Sequence, residues 1–199
     1  MTIAIIGGAG FLGTRLVSRI KASTIEYSIF DIDQSKLLEN MMYLDVEDPE
    51  SLDKIRGATC IINLAAVHRD NVRPLSRYDD VNVQGAVNVC DAARKYGINN
   101  IIFTSSVAIY GFAPADTDES GEPNYFNDYG RTKYLAEQLY KEWQADDPDN
   151  RTLVIVRPTV IFGEGNRGNV YNLLKQIAAG RFVMFGNGKN TKSMAYVEN

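Results

Sequence analysis

Short, predominantly apolar runs at residues 3–6, 28–31, 42–45, 60–64, 101–104 and 153–156 alternate with longer stretches in which apolar side chains return every three or four positions. An extended run with apolar side chains at successive positions is apolar on both faces, as a strand in a parallel sheet covered by helices must be. The helical rhythm spans residues 11–21, 49–55, 79–96 and 129–145. Asp48-Pro49 opens the second of these, Gly97 closes the third, and Asp146-Asp147-Pro148 stops the fourth. Strand and helix in regular alternation predict an α/β chain folded as a doubly wound parallel sheet. After residue 160 the pattern changes to a polar, glycine-rich loop (GEGNRGN, 163–169), a helix over 170–179 and a glycine-punctuated stretch over 180–190. The expected organisation is one domain over residues 1–160 and the start of a smaller, substrate-side region over 161–199, which reads as breaking off at Asn199.

Composition narrows the function classes. The 199 residues are 45% hydrophobic and 23% charged, an ordinary globular balance that excludes disorder. Lys and Arg number 21 against 25 Asp and Glu, with no block of like charges, so no electrostatic footprint for nucleic acid is present. Cys60 and Cys90 lie in apolar surroundings without a CxxC spacing, and His68 is the single histidine. Free thiols in a reducing compartment, and no metal site, are expected. No apolar stretch approaches a membrane span and no basic segment precedes the short N-terminal apolar run, so the expected location is cytoplasmic.

The first chemistry follows the first apolar run. Gly7-Gly8-Ala9-Gly10-Phe11-Leu12-Gly13 satisfies GxxGxxG and, counted from Gly8, GxGxxG. Glycines at this spacing allow a tight turn, close approach of the backbone to a pyrophosphate, and packing of the next helix on its strand with its amides facing the anion. This is the dinucleotide loop of a Rossmann sheet. Asp31 ends the second run, eighteen residues after Gly13. Its carboxylate can accept both ribose hydroxyls and would repel a 2′-phosphate, and Ile32, Asp33 and Gln34 bring no arginine, so NAD is expected over NADP. Asp45 is either an acceptor for the adenine amino group or the cap of the next turn.

Tyr129 and Lys133 stand four apart at the start of a helix and share a face. A cation there is expected to lower the phenol below its usual value near 10 and let it act as a base. Thr104-Ser105-Ser106 follows the fifth run, at the sheet edge where ligands bind in such folds.

On GGAGFLG (7–13), Asp31, Asp45-Val46, NLAA (63–66), NVQG (82–85), TSSVAIYG (104–111), Tyr129 to Lys133 and Arg157-Pro158, the chain resembles the extended short-chain dehydrogenases/reductases, and within them the sugar-nucleotide epimerases and dehydratases, over all its residues. The resemblance implies that Tyr129 is the catalytic acid/base, that Lys133 binds the nicotinamide ribose and lowers the tyrosine pKa, and that Ser106 holds the sugar hydroxyl being oxidised. It implies an NAD site of Gly7, Gly10, Phe11, Leu12, Gly13, Asp31, Asp45, Val46, Leu64, Ala65, Ala66, Asn82, Thr104, Tyr129, Lys133 and Pro158, with His68 near ribose and substrate. It also implies a homodimer through the helices at 79–96 and 129–145, with Val81, Val87, Leu135 and Leu139 available for the contact.

The 4,6-dehydratases of this family carry an Asp-Glu pair after the serine; here Val107 and Ala108 stand there and cannot transfer protons. The expected outcome is therefore 4-epimerisation through a transient 4-keto sugar. The alternatives are net oxidoreduction, 4,6-dehydration, or a non-catalytic NAD-binding sensor. AAVHRDNV (65–72), DVNVQG (80–85), the stretch 157–180 and KSMAYVEN (192–199) are similar to bacterial 4-epimerases of N-acetylglucosamine carried on undecaprenyl diphosphate for O-antigen synthesis. Soluble relatives take UDP-glucose or UDP-N-acetylglucosamine. Either substrate is a sugar on a diphosphate, for which Arg167, Asn169 and Lys192 are the implied anchors; Lys192 replaces the family's arginine and Val160 its sugar-site asparagine. A polyprenyl carrier would bring the protein to the inner face of the membrane. Members of the family are longer, so these 199 residues alone are expected to bind NAD and turn over little substrate.

Overall fold

The computed structural model describes residues 1–199 apart from Asp70 and Phe185. The chain forms two compact units, Met1–Arg157 and Pro158–Asn199. The first contains β1 (Thr2–Ile6), α1 (Phe11–Ile20), β2 (Glu26–Asp31), β3 (Met41–Tyr43), β4 (Cys60–Asn63), α2 (Ser76–Tyr78), α3 (Gly85–Tyr96), β5 (Asn100–Thr104), α4 (Asp128–Ala145) and β6 (Thr152–Val156). Its six strands are all parallel, in the order β3-β2-β1-β4-β5-β6. This is the doubly wound order, and the direction in which successive strands are laid down reverses between β1 and β4. Ligands of such sheets bind at the carboxyl ends of those two strands.

Alternation along the strands divides the core. Ala4, Ile6, Phe30, Ile61, Ile101 and Phe103 face Val89, Cys90, Ala136, Tyr140 and Trp143 of α3 and α4. Ile3, Ile5, Ile29, Cys60 and Ile62 face Val17 of α1. Covered faces therefore hold for the central strands, as their unbroken apolar runs predict. They do not hold for β6: Leu153 and Ile155 pack inward, but Val154 and Val156 are 45% and 43% exposed, because the second cluster extends no farther than Ile102. Both cysteines are free and buried, and burial pushes the Cys90 thiol up to about 12.

Two helical segments differ from their expected form. Residues 51–55 make a tight 3-10 turn that buries Leu52 and Ile55. The helix expected from residue 79 starts at Ser76, and its Asp79–Gln84 portion is wound as a π-helix between α2 and α3. Gly97 ends α3 in the left-handed conformation, its amide reaching the carbonyls of Ala93 and Arg94.

Tyr140 ties this core to the sheet edge. Its ring packs on Phe103 at 4.4 Å between centroids and its hydroxyl accepts a 2.7 Å hydrogen bond from Asn63 Nδ2. Tyr140→Phe removes that acceptor inside the core, and urea unfolding is expected to show a loss of about 1–3 kcal/mol. An unchanged unfolding midpoint would show the bond to be idle.

The second unit contains β7 (Val160–Phe162), α5 (Asn169–Ala178) and β8 (Met194–Tyr196). β7 and β8 pair in parallel, Val160 opposite Met194 and Phe162 opposite Tyr196. The Tyr196 hydroxyl donates to Glu164 Oε2 at 2.9 Å.

Candidate active site

The glycine loop leaves β1 by turning onto the end of β2. The amides of Gly7 and Gly8 both donate to the Phe30 carbonyl, at 2.8 and 3.1 Å. Gly7 has φ of +83°, and a Cβ on it would lie 2.6 Å from Ala65 N. A Cβ on Gly13 would lie 2.6 Å from the Gly7 carbonyl oxygen and from two backbone atoms of Gly8. The loop, the segment after β4 and the start of α1 thus meet backbone to backbone. No side chain caps α1 at Gly10, and its first turn carries no acidic residue, so the positive end of the helix is left for an anion.

Asp31 closes one side of this cradle. Its Oδ2 accepts from Ala9 N at 2.8 Å and its Oδ1 from Asp33 N at 3.1 Å. Each oxygen keeps further acceptor capacity. Asp45 Oδ1 accepts from Glu47 N at 3.0 Å and Ser51 Oγ accepts from Asp45 N at 2.9 Å, so Asp45 caps the following turn. Val46 is buried against Gly85, where a Cβ would come within 2.8 Å of its side chain.

Leu64, Ala65 and Ala66 continue from β4 beside the loop. Leu64 N donates to the Ile6 carbonyl at 2.8 Å, and Ala65 N to Asn63 Oδ1 at 3.0 Å. Asn82, in the π-helical stretch, clamps the next residue: its Oδ1 accepts from Val67 N at 2.8 Å while its Nδ2 donates to Val67 O and to Thr132 Oγ1, both at 3.0 Å. Its carboxamide is thereby spent on holding the 64–67 segment against α4. His68 is exposed beyond that segment.

Thr104 ends β5, and Ser106 starts the turn Val107–Tyr110, its Oγ accepting from Ala108 N at 3.1 Å. α4 opens against this turn. Asn127 Oδ1 caps it by accepting from Gly130 N at 2.8 Å, and Gly130 packs so closely that a Cβ would lie 2.5 Å from the Ala108 carbonyl oxygen. This contact brings the Tyr129 hydroxyl to Ser106, with which it hydrogen-bonds. One turn later Lys133 is buried, 2% exposed, its Nζ 4.1 Å from the centroid of the Phe103 ring.

The electrostatics reverse the expected phenol shift. Burial raises the Tyr129 pKa above its ordinary value, with only the Ser106 hydrogen bond pulling down. Burial also lowers Lys133 to about 7, the Glu137 carboxylate opposing the change. The desolvation that raises the phenol thus also works against the charge on Lys133.

The structure adds residues that the motif reading passed over. Gly130 sets the approach of α4 to the serine turn, Thr132 and Asn127 lock the start of that helix, and Glu137 continues the face of Tyr129 and Lys133 by another turn. The signal for Glu137 was its charge at a position whose neighbours Ala136 and Tyr140 mark the buried face. In the second unit, Pro158 opens the chain before β7, Arg167 and Asn169 flank Gly168 at the start of α5, and Lys192 precedes β8; Arg167, Asn169 and Lys192 are exposed. Asn166 shapes this loop by donating to Ile161 O at 2.9 Å and accepting from Gly168 N at 3.0 Å.

Comparison with known proteins gives concordant results. The model of the NAD dependent epimerase/dehydratase family matches residues 3–199. A protein of Escherichia coli O157:H7 named N-acetyl-alpha-D-glucosaminyl-diphospho-ditrans,octacis-undecaprenol 4-epimerase is 49% identical over 201 residues, covering 99% of this chain and 60% of that protein. A UDP-glucose 4-epimerase of Vibrio cholerae is 25% identical, covering 100% of this chain and 63% of its own length. The chain thus spans about 60% of the length of these relatives. Among solved structures, the UDP-glucose 4-epimerase of Thermus thermophilus in complex with NAD superposes with a TM-score of 0.85 at 22% identity, covering 99% of this chain and 71% of that one. MoeE5 in complex with UDP-glucose and NAD gives 0.88 at 22% identity, with coverage of 100% and 68%. At such identity these superpositions establish the fold.

Proposed function

Because the chain belongs to the NAD dependent epimerase/dehydratase family, we propose that it binds NAD in the glycine-loop cradle and inverts C4 of a hexose carried on a diphosphate, N-acetylglucosamine on undecaprenyl diphosphate. The observation that carries this reading is the meeting of Ser106 and Tyr129 one helical turn from the buried Lys133, at the carboxyl edge of a doubly wound sheet. The residues fit the cofactor: Gly7 and Gly13 let the loop pack backbone to backbone on the segment after β4 and on the head of α1, the N-terminus of α1 is uncapped, and Asp31 has acceptor capacity to spare for a ribose. Bound NAD would take the C4 hydride and give it back.

The chain's own groups handle the proton and the sugar. Ser106 orients the C4 hydroxyl toward Tyr129, which removes its proton as the C4–H bond breaks and C4 becomes a ketone. After the keto sugar has turned its other face, Tyr129 returns the proton to the C4 oxygen. No net oxidation results. Val107 and Ala108 form the turn beside Ser106 and offer no acid or base for loss of water, which favours epimerisation over dehydration. Arg167, Asn169 and Lys192 are the groups assigned to the diphosphate. The 49% identity to the undecaprenol-linked relative, against 25% to the UDP-glucose enzyme of Vibrio cholerae, supports the lipid carrier. With that carrier the protein works on the cytoplasmic face of a membrane, and among the described residues no helix is long and apolar enough to cross it. A homodimer through α3 and α4 completes the reading; Val81 and Leu139 already pack on their own core, so Val87 and Leu135 supply the apolar contact. Sedimentation should give twice the monomer mass at micromolar concentration.

The test is incubation of the full-length protein with NAD and either the lipid-linked sugar or UDP-N-acetylglucosamine, followed by analysis of the C4 configuration. Formation of the C4 epimer, faster from the lipid-linked sugar, is expected; no epimer from either substrate refutes the reading. Asp31→Ala removes a charged acceptor for the ribose and is expected to weaken NAD binding about 10–100-fold by calorimetry. Unchanged affinity would remove Asp31 from the site.

A further inference from the structure

Glu137 is a fully buried carboxylate that the proton-transfer scheme does not use. It lies one helical turn beyond Lys133 on the face that carries Tyr129. It is held in a fork: Arg157 Nε reaches Oε1 at 2.9 Å and Arg157 Nη2 reaches Oε2 at 2.7 Å. The same guanidinium donates to the Tyr110 hydroxyl and, at 3.0 Å, to the Glu119 carbonyl. Arg157 therefore joins α4, the serine turn and the residues beyond it at the end of β6.

We propose that the Glu137–Arg157 pair is a counter-ion device for Lys133, and that Glu137 is a positioning residue that keeps that lysine charged in its buried seat beside Tyr129. Lys133 forms no direct ion pair among the described residues, and its ammonium rests on the face of Phe103. Its opposite charge comes through space from Glu137, which already opposes the effect of burial. Arg157 moderates this influence, since a carboxylate shared with a guanidinium exerts a weaker field on a second cation. Of the other charged or titratable groups around α4, Lys141 also reaches Glu137, more distantly than Arg157 does, and the rest are engaged elsewhere. Lys141 is 3.9 Å from Glu137, Arg131 is paired with Asp79 and Asp128, Tyr110 is bonded to Arg157, Tyr140 to Asn63, and the Cys90 thiol donates to the Leu139 carbonyl.

A purely structural ion pair and a counter-ion device differ in sign. Loss of either partner would loosen a structural clamp in the same way. For the device, Glu137→Gln removes the negative charge and lowers the Lys133 titration midpoint, whereas Arg157→Gln leaves the carboxylate with only Lys141, at 3.9 Å, and raises it. The experiment is a pH titration of ε-13C-labelled lysine by NMR on this chain, with the Lys133 resonance assigned by its loss in Lys133→Met. The expected result is a midpoint near 7 in the unaltered protein, a fall of about one pH unit in Glu137→Gln and a rise of similar size in Arg157→Gln. Arg157→Lys, which keeps the charge and loses the fork, should stay close to the unaltered value. If Glu137→Gln does not fold, the contrast between Arg157→Gln and Arg157→Lys decides. An unmoved midpoint, or movement in the same direction in both glutamine variants, overturns the proposal. The inference rests on Lys133 serving Tyr129, and the two failures are distinguishable: opposite midpoint shifts without any epimer formed would retain the device and remove the reaction.

Discussion

Tyr129→Phe is expected to bind NAD as well as the unaltered protein does and to form the C4 epimer about 10²–10⁴-fold more slowly, the range in which a positioned acid/base contributes. The substitution removes one oxygen atom and keeps the ring, so the packing of α4 against the serine turn through Gly130 is preserved. What is lost is the group bonded to Ser106 and next to Lys133 along the helix. Binding should survive because the cradle of Gly7, Gly13 and Asp31 is built on β1, α1 and β2 and makes no use of the phenol. The checks are calorimetry with NAD and, on the full-length protein, the rate of epimer formation from the diphosphate-linked sugar. A variant that retains more than a tenth of the rate would assign the proton transfer to another residue.

The raised phenol pKa clarifies why two helical turns are needed for one proton. Burial keeps Tyr129 protonated, which is the form that the proposed reaction needs for returning a proton to the keto sugar. The opposite form requires a charged neighbour, and burial draws charge from Lys133 as well. Desolvation therefore works against both members of the pair. Glu137, shared with Arg157, supplies the compensation.

The parts of this arrangement that were legible in sequence are those set by local periodicity or by a residue type with no substitute. The central strands show as apolar runs because both of their faces are covered. The glycine loop shows because no other residue fits at Gly7 or Gly13. Tyr129 and Lys133 show because their spacing is that of one helical turn. What was not legible depends on partners remote along the chain. The π winding of Asp79–Gln84 preserves helical periodicity and accompanies the bonds of Asn82 to Val67 and Thr132, fifteen and fifty residues away. The open face of β6 has the same alternation of apolar residues as a covered one and differs only in what lies above it. The Arg157–Glu137 fork spans twenty residues and two elements, and the direction of the Tyr129 shift follows from burial, which no motif records.

Gly7→Ala is expected to lower stability by about 2–5 kcal/mol and to weaken NAD binding by about 100-fold or more. Its φ of +83° is a left-handed conformation, which costs an L-residue about 1–2 kcal/mol. The new Cβ would also lie 2.6 Å from Ala65 N and 2.8 Å from Leu64 C. Those are backbone atoms, held by Leu64 N on the Ile6 carbonyl and Ala65 N on Asn63, so relief must come from opening the loop, at about 1–3 kcal/mol more. Opening it moves the amides at the head of α1 that face the pyrophosphate, and displacements near 1 Å in such groups cost about 100-fold. Gly10→Ala is the internal comparison. Gly10 has an ordinary φ of −67° and its Cβ would meet only the Gly7 carbonyl oxygen, at 3.3 Å. Urea unfolding and NAD calorimetry on both variants should show a large loss for Gly7→Ala and, for Gly10→Ala, a stability loss of about 1 kcal/mol or less. Equal losses in the two would show that the strain belongs to the loop as a whole and not to the meeting of Gly7 with the segment after β4.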